Sequence, residues 1–346
     1  MNKDYKYLAF FDLLGTQNFS VNAKDYFDKI RKLQERIQDN CAYLSANGNT
    51  FNVAFFSDSC YVESEGLYEL LQYIKMLRND LSSIALFFNA AVIKAGVDYN
   101  RKISFKNISE TYFENGTIHG TMFYDNSVAK AYIAHNRFKG IGVFLSQEVY
   151  KDAKKERKIK DELVKSIFLA DHQKYESLTI YDDVAFTSIS NKMQDRWIAE
   201  ILKAYFLACS DNERYGKYYV SLLTNIINCA SNDIEWDGTN KKFKNSDAIY
   251  NTMLSIFIDK NKHSFLTGID VLAIVFINKI LSSSLMTQQK VDIIHSLFDS
   301  ECIANKYLTN LDSVPWLAFF GNKNNEEMFK KYCHEYIVNK KINDIN

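Results

Sequence analysis

The stretch Tyr7-Leu8-Ala9-Phe10-Phe11-Asp12-Leu13-Leu14-Gly15-Thr16 decides how this chain is read. An apolar, aromatic run from Tyr7 to Phe11 stops at Asp12, with Gly15 just beyond, as a short buried strand ending in a tight turn would. A second stretch, FNVAFFSDSCYV from Phe51 to Val62, sets β-formers on either side of Ser57-Asp58-Ser59. Three small turn-forming residues between two β-prone runs predict a hairpin with Asp58 at its tip.

Between these strands Phe27, Ile30, Leu33 and Ile37 recur every three or four positions among charges, which predicts an amphipathic helix from Asp25 to about Tyr43. Further along, a helix is expected over about Leu67 to Phe87, a strand over Ala90 to Tyr99, a short helix over Asn126 to His135 and a strand over Ile141 to Leu145. A charged helix from Gln147 to Lys165 and a last strand from Leu178 to Tyr181 complete the first part. The order is βαββαβ with additions, an α+β ferredoxin-like plan: an antiparallel sheet with helices on one face and strand 1 central, beside strand 3. In such a sheet Asp12 and the hairpin tip converge.

Beyond about Ser188 the character changes to apolar helical faces, beginning with Trp197, Ile201 and Tyr205 and continuing at 216–229, 247–259, 269–281 and 288–298. A length of 346 residues suits two cores. The expected division is a first domain over 1–188 and an all-α domain over 189–346, the second without a chemical motif.

Composition excludes some classes of function. Lys plus Arg number 42 and Asp plus Glu 42, so no net charge draws the chain to nucleic acid or an anionic membrane. The six cysteines form no CxxC pair and read as reduced thiols. The apolar run near the N-terminus is only about five residues, unlike the core of an export signal. Gly268 to Leu281 carries Asp270, Asn278 and Lys279 and falls short of the roughly 20 residues of a membrane span, so it reads as a buried helix. A cytoplasmic protein with no membrane or nucleic-acid partner is expected.

Two carboxylates at the ends of adjacent central strands are what a two-metal phosphoryl-transfer site needs, because oxygens a few ångströms apart must share the ions. Asp12 and Asp58 meet that description. The Gly-containing turn after Asp12 opens toward a helix, where backbone N–H groups receive phosphates. Ser57 and Ser59 are open to two readings, contact with ribose or base and ordinary turn chemistry. Tyr132, like Phe55 and Phe56, is expected in the core.

With these residues in view, FFDLLGTQNF resembles the FxDIxGF metal motif of class III nucleotide cyclases, and FFSDSCYV resembles their second-aspartate hairpin. The segments IKAGVDYN and VAKAYIAHNRFKGIGVFLS are similar to the RGGI and AYxLE…PRI segments of the Pycsar cyclases, bacterial enzymes that make cyclic UMP or cyclic CMP on phage infection. The resemblance spans about residues 5 to 185. It implies a lyase that cyclises UTP or CTP with two Mg2+ or Mn2+ ions. Asp12, Asp58 and the backbone of Leu13 would be the metal ligands, and Leu14, Gly15 and Thr16 the phosphate cradle. Lys94 stands in the place of the RGGI arginine. The resemblance also implies a homodimer with interfacial sites and a second messenger read by a separate effector protein in antiphage defence.

Departures from the pattern carry information. Adenylate cyclases read adenine with a Lys four residues before the second aspartate and with an Asp ahead of the short helix; Ala54 and Met122 stand there, which points to a pyrimidine. Ala129 and Ile133 align with the usual transition-state Asn and Arg. On these rests an alternative, a catalytically degenerate nucleotide sensor; a further one is an interaction protein whose working part is the helical half.

Overall fold

The computed structural model describes residues 7–14, 23–48, 51–56, 58–82, 86–95, 106–107, 111–113, 116–118, 121–122, 126–137, 140–160, 163–167, 174–178, 191–211, 213–244, 248–311, 320 and 322–343. The chain divides into two compact units, Met1–Val164 with Glu176–Leu178, and Lys165–Tyr175 with Thr179–Asn346.

The first unit opens with strand β1 (Tyr7–Leu13), helix α1 (Ala23–Ala46), strands β2 (Phe51–Phe56) and β3 (Ser59–Ser64), helix α2 (Leu67–Ser82) and strand β4 (Phe88–Lys94). Helix α3 (Asn126–Arg137), strand β5 (Gly142–Leu145) and helix α4 (Gln147–Ala153) follow, and then strands β6 (Leu163–Ile167) and β7 (Lys174–Leu178), whose residues are divided between the two units. The sheet runs β6-β7-β5-β4-β1-β3-β2. Within it, β4-β1-β3-β2 is the ferredoxin-like order, and β1 lies between β3 and β4, antiparallel to both. Central position explains the sequence of β1. A strand flanked on both edges and covered on both faces is an unbroken apolar run, and Leu8, Ala9, Phe10 and Phe11 are all buried.

Two expectations need correction. The sheet is mixed, because β5 pairs with β4 in parallel, Asn89 facing Gly142. Helices also cover both faces. Alternation along β1 sends Leu8, Phe10 and Asp12 to one side and Ala9, Phe11 and Leu13 to the other. On the first side Leu8 and Phe10 join Tyr61 and Ile93 in a cluster closed by Ala131 of α3. On the second, Tyr73 of α2 packs on Phe51 with ring centroids 5.2 Å apart and donates to the Ile37 carbonyl of α1, while Asp152 of α4 accepts from Tyr7. A parallel neighbour is reached only by a crossover, and α3, expected as a short helix over Asn126 to His135, supplies it by covering the face that the antiparallel plan left open.

Helix α1 keeps its stripe of Ile30, Leu33 and Ile37 inside and sets Arg31 and Arg36 against Asp28, Glu35 and Asp39 outside. Phe27, in phase with that stripe, is exposed instead. Helix α4 stops at Ala153, well before Lys165, and residues from Leu163 onward return to the sheet as β6. The last strand covers Lys174–Leu178; residues 179–181 lie outside the described residues.

The second unit is helical: α5 (Asn191–Asp211), α6 (Glu213–Cys229), α7 (Ala248–Ile258), α8 (Ile269–Leu281), α9 (Thr287–Asp299) and α10 (Lys323–Asn343). Close approach of α5 and α6 depends on Gly216, where a Cβ would come 2.7 Å from Cys209 Sγ. Helix α8 is buried over nine of its residues and is the axis of the core. Phe276 on it meets the rings of Phe243, Tyr250 and Phe257 at centroid distances of 6.4, 5.7 and 5.3 Å. Its polar residues are tied within the unit. Lys279 donates to the Asn228 carbonyl, and Asn325 of α10 donates to the side chains of Asn278 and Ser282. Among the described residues no helix is long and apolar enough to cross a membrane.

Between α6 and α7 a two-stranded hairpin, Trp236–Asp237 with Lys242–Phe243, interrupts the helices. Asp237 accepts the N–H groups of Thr239 and Asn240, an aspartate-closed turn, and Trp236 meets Phe243 across the strands.

Candidate active site

Asp12 is the penultimate residue of β1, and its position is fixed by register. A row of backbone pairs crosses the sheet at this level: Phe56 with Ser59, Ser59 with Asp12, Asp12 with Asn89, and Asn89 with Gly142. Asp58 lies in the two-residue connection between β2 and β3, so the expected hairpin forms with Asp58 in its turn. Leu13 N–H donates to the Asp58 carbonyl at 3.1 Å, fastening the hairpin turn to the end of β1. The structure thus brings Asp12, Leu13, Asp58 and Ser59 together.

Burial is the main influence on Asp12 and raises its pKa from 3.8 to about 6; the Ser59 hydroxyl, donating to Oδ1 at 2.6 Å, opposes the rise, and the Asp58 charge adds to it. Two nearby carboxylates, one of them partly withdrawn from water, form a set of hard oxygen donors suited to Mg2+ or Mn2+, and a cation would relieve both burial and repulsion. The residues fit the implied ions in that sense. Among the described residues no group of three or more His, Cys, Asp and Glu side chains is arranged around a metal position.

The raised Asp12 pKa has a definite sign. The folded chain holds this proton more tightly than the unfolded chain does. Ionisation therefore weakens the fold as pH rises from about 4 to about 6, and the whole cost, on the order of 2–3 kcal/mol, stands at neutral pH. Without metal, Asp12→Asn is expected to raise the melting temperature at pH 7.5 and to leave it nearly unchanged at pH 4. Equal shifts at the two pH values would show that charge is not the cause.

Other candidates are placed differently. Leu14 N–H donates to the Phe87 carbonyl at 2.8 Å, so this amide is occupied within the sheet. Gly15, Thr16 and Ser57 lie outside the described residues. Ser59 donates its hydroxyl to Asp12 Oδ1 and so stands beside the carboxylate pair. Lys94 is not brought to the carboxylates. It faces Tyr7 across β1, five residues from Asp12 and so roughly 17 Å away along the strand. There its ammonium lies 2.8 Å from Asp152 Oδ2, which Tyr7 also contacts.

On α3, Ala129 and Ile133 are exposed. Tyr132, expected in the core, is 53% exposed and meets Phe10 edge-on at 5.7 Å. Ala54 pairs with Tyr61, and Met122 pairs with Lys106 in a separate two-stranded ribbon. Asn89, buried and directly opposite Asp12, is the neighbour that the sequence reading passed over. Its signal was the single polar residue within the apolar run from Leu86 to Ile93.

No protein-family model matches the chain, and no curated protein matches it in sequence. Among solved structures the chain is similar to the guanylyl cyclase Cya2, with 12% identity over 51% of this chain and 92% of that one and a TM-score of 0.31. It is similar also to the guanylyl cyclase domain of the RhoGC fusion protein from the aquatic fungus Blastocladiella emersonii, with 14% identity over 51% and 97% of the two chains and a TM-score of 0.33. A bacterial light-regulated adenylyl cyclase shows 10% identity over 57% and 98%, with a TM-score of 0.32.

Proposed function

We propose that the chain is a metal-dependent nucleotide cyclase that converts UTP or CTP to the 3′,5′-cyclic monophosphate and pyrophosphate. One observation carries this reading: Asp12 and Asp58 meet at the end of the central strand, joined through the Leu13–Asp58 backbone hydrogen bond. The pyrimidine preference rests on sequence, on Ala54 and Met122 in place of the adenine readers.

Two Mg2+ or Mn2+ ions, held by the carboxylates of Asp12 and Asp58 and by the backbone of Leu13, would activate the 3′-hydroxyl and offset phosphate charge. The 3′-oxygen bonds to the α-phosphorus, the bond to the β-phosphate bridge breaks, and the hydroxyl proton passes to solvent. Ser59 holds Oδ1 of Asp12 in one orientation, and Asn89 closes the row on the other side. By the same sequence resemblance the enzyme works as a homodimer with interfacial sites and its product is an antiphage second messenger for another protein; the change in sequence character after Ser188 makes residues 189–346 a separate domain, and composition places the chain in the cytoplasm.

Incubating the full-length protein with Mn2+ and each of the four nucleoside triphosphates is expected to give cyclic UMP or cyclic CMP and no purine product by mass spectrometry. A cyclic purine product would reverse the base assignment. No cyclic product, alone or with extract of phage-infected cells, would overturn the activity.

A second reading, a nucleotide sensor without turnover, is favoured by the exposed, uncharged Ala129 and Ile133 at the positions of the transition-state residues. Its mark would be Mn2+-dependent binding of UTP or CTP in calorimetry with no product.

A further inference from the structure

The chain carries no net charge, yet its charges are unevenly placed. From Gln147 to Lys160, α4 and the turns after it hold six cations, Lys151, Lys154, Lys155, Arg157, Lys158 and Lys160, against three carboxylates, Glu148, Asp152 and Glu156. Asp161 and Glu162, which follow, lie outside the described residues. The fold separates the two signs. Asp152 accepts from Tyr7 and pairs with Lys94 at 2.8 Å, and the charges of Glu148 and Glu156 act on that same corner of Lys94 and Tyr7. The acids of the segment are thus gathered where α4 meets the sheet.

All six cations are exposed on the other side. Lys151, Lys155, Arg157, Lys158 and Lys160 have no carboxylate in salt-bridge contact among the described residues. Two of the ammonium groups rest on rings: Lys154 Nζ lies 4.1 Å from the centroid of Tyr150, and Lys158 Nζ lies 4.5 Å from that of Tyr68 at the start of α2. Backbone hydrogen bonds from Lys154 to Tyr150, from Lys155 to Asp152 and from Lys160 to Glu156 fix the chain that carries them. The cations therefore form one ordered surface, and ordering it on binding costs less than ordering a flexible basic tail.

We propose that this surface binds nucleic acid through the phosphate backbone, without regard to base sequence. An acidic peptide or an anionic membrane adds apolar contacts to charge when it binds stably. Here Val149, Ala153 and Ile159, the apolar residues of the segment, are buried within the unit, and no large hydrophobic residue is exposed between Gln147 and Lys160. A phosphate backbone is held by charge and hydrogen bonds alone. Arg157 offers a forked pair of donors to one phosphate, and each lysine offers a point charge. The surface stands at the Tyr7 end of β1, the opposite end from Asp12, and is independent of the carboxylate pair.

Fluorescence anisotropy of the full-length protein with a fluorescein-labelled single strand and a labelled duplex, each about 20 nucleotides long, tests this. At least one is expected to bind with a Kd of about 10 μM or tighter in roughly 50 mM salt, and the logarithm of the duplex affinity to fall against the logarithm of salt with a slope of about −3 to −4, as for four phosphate contacts. Lys151→Gln, Lys155→Gln and Lys158→Gln combined, all at exposed positions, are expected to weaken binding at least about tenfold with unchanged circular dichroism. Lys323→Gln, Lys331→Gln and Lys340→Gln combined change the net charge equally, on the exposed side of α10, and are expected to leave binding within about twofold. No saturable binding of either oligonucleotide, a salt slope near zero, or an equal loss in the α10 variant would each overturn the proposal. So would polyglutamate, or vesicles containing phosphatidylserine, bound more tightly than both oligonucleotides.

Discussion

Asp12→Asn and Asp58→Asn are each expected to lower cyclic-nucleotide formation by roughly a thousandfold or more while leaving the far-UV circular dichroism of the chain unchanged. Asparagine keeps the shape of aspartate, and at position 12 its side-chain oxygen still accepts from Ser59, so the local packing of the β1–β3 junction survives. What disappears is half of the anionic charge available to hold two divalent ions. Binding of Mn2+, measured by calorimetry, should fall with turnover in both variants. Turnover within tenfold of the parent in either variant would remove that carboxylate from the chemistry. Loss of structure instead of function at position 12 would contradict the relief of burial and repulsion expected when its charge is removed.

The second large effect is on stability. Phe276→Ala is expected to destabilise the helical unit by about 3–5 kcal/mol, read from the urea midpoint of its unfolding transition. The Phe276 ring is fully buried at the centre of α8 and touches rings from the hairpin and from two positions on α7. Truncation removes the transfer free energy of an entire ring and leaves a cavity whose walls come from three separate elements. The hydrogen bonds of Lys279 to α6 and of Asn278 with Asn325 of α10 hold α8 in place, so it cannot shift to fill the cavity, which puts the cost toward the upper end. A loss below about 1 kcal/mol would mean that these rings repack freely.

Sequence alone revealed β1, the β2–β3 hairpin and the carboxylate at the end of each because these are local signals, whereas β6 begins where a helix was expected. The apolar run ending at Asp12 and the small residues around Asp58 state their own conformation, and the ferredoxin-like order follows from the succession of elements. Three features were harder to read. The parallel pairing of β4 with β5 depends on which edge the chain returns to after α3, a long-range choice that no short pattern encodes. Helix α10 buries Phe329, Tyr332, Cys333 and Tyr336 at helical spacing, a short stripe set among many charges, and its exposed sides carry Lys–Glu pairs four residues apart, so charge pairing supports its helicity as well as burial. Lys94 was matched to a motif by position in the sequence, whereas antiparallel register carries it to the opposite end of β1 from Asp12. Tyr132 shows the same limit on a helix: apolar character does not say which side of α3 faces the sheet.

The hydrogen bond from Leu13 to the Asp58 carbonyl joins main chain to main chain, so the bite of the two carboxylates is written in chain length rather than in the identity of neighbouring side chains. Substitutions around the pair can drift widely while that spacing holds. A single residue inserted between Phe56 and Ser59 would do more harm than most replacements, because it displaces Asp58 from its tether and turns the register of β3 against β1. Over evolutionary time such a site tolerates changes of letter and resists changes of count.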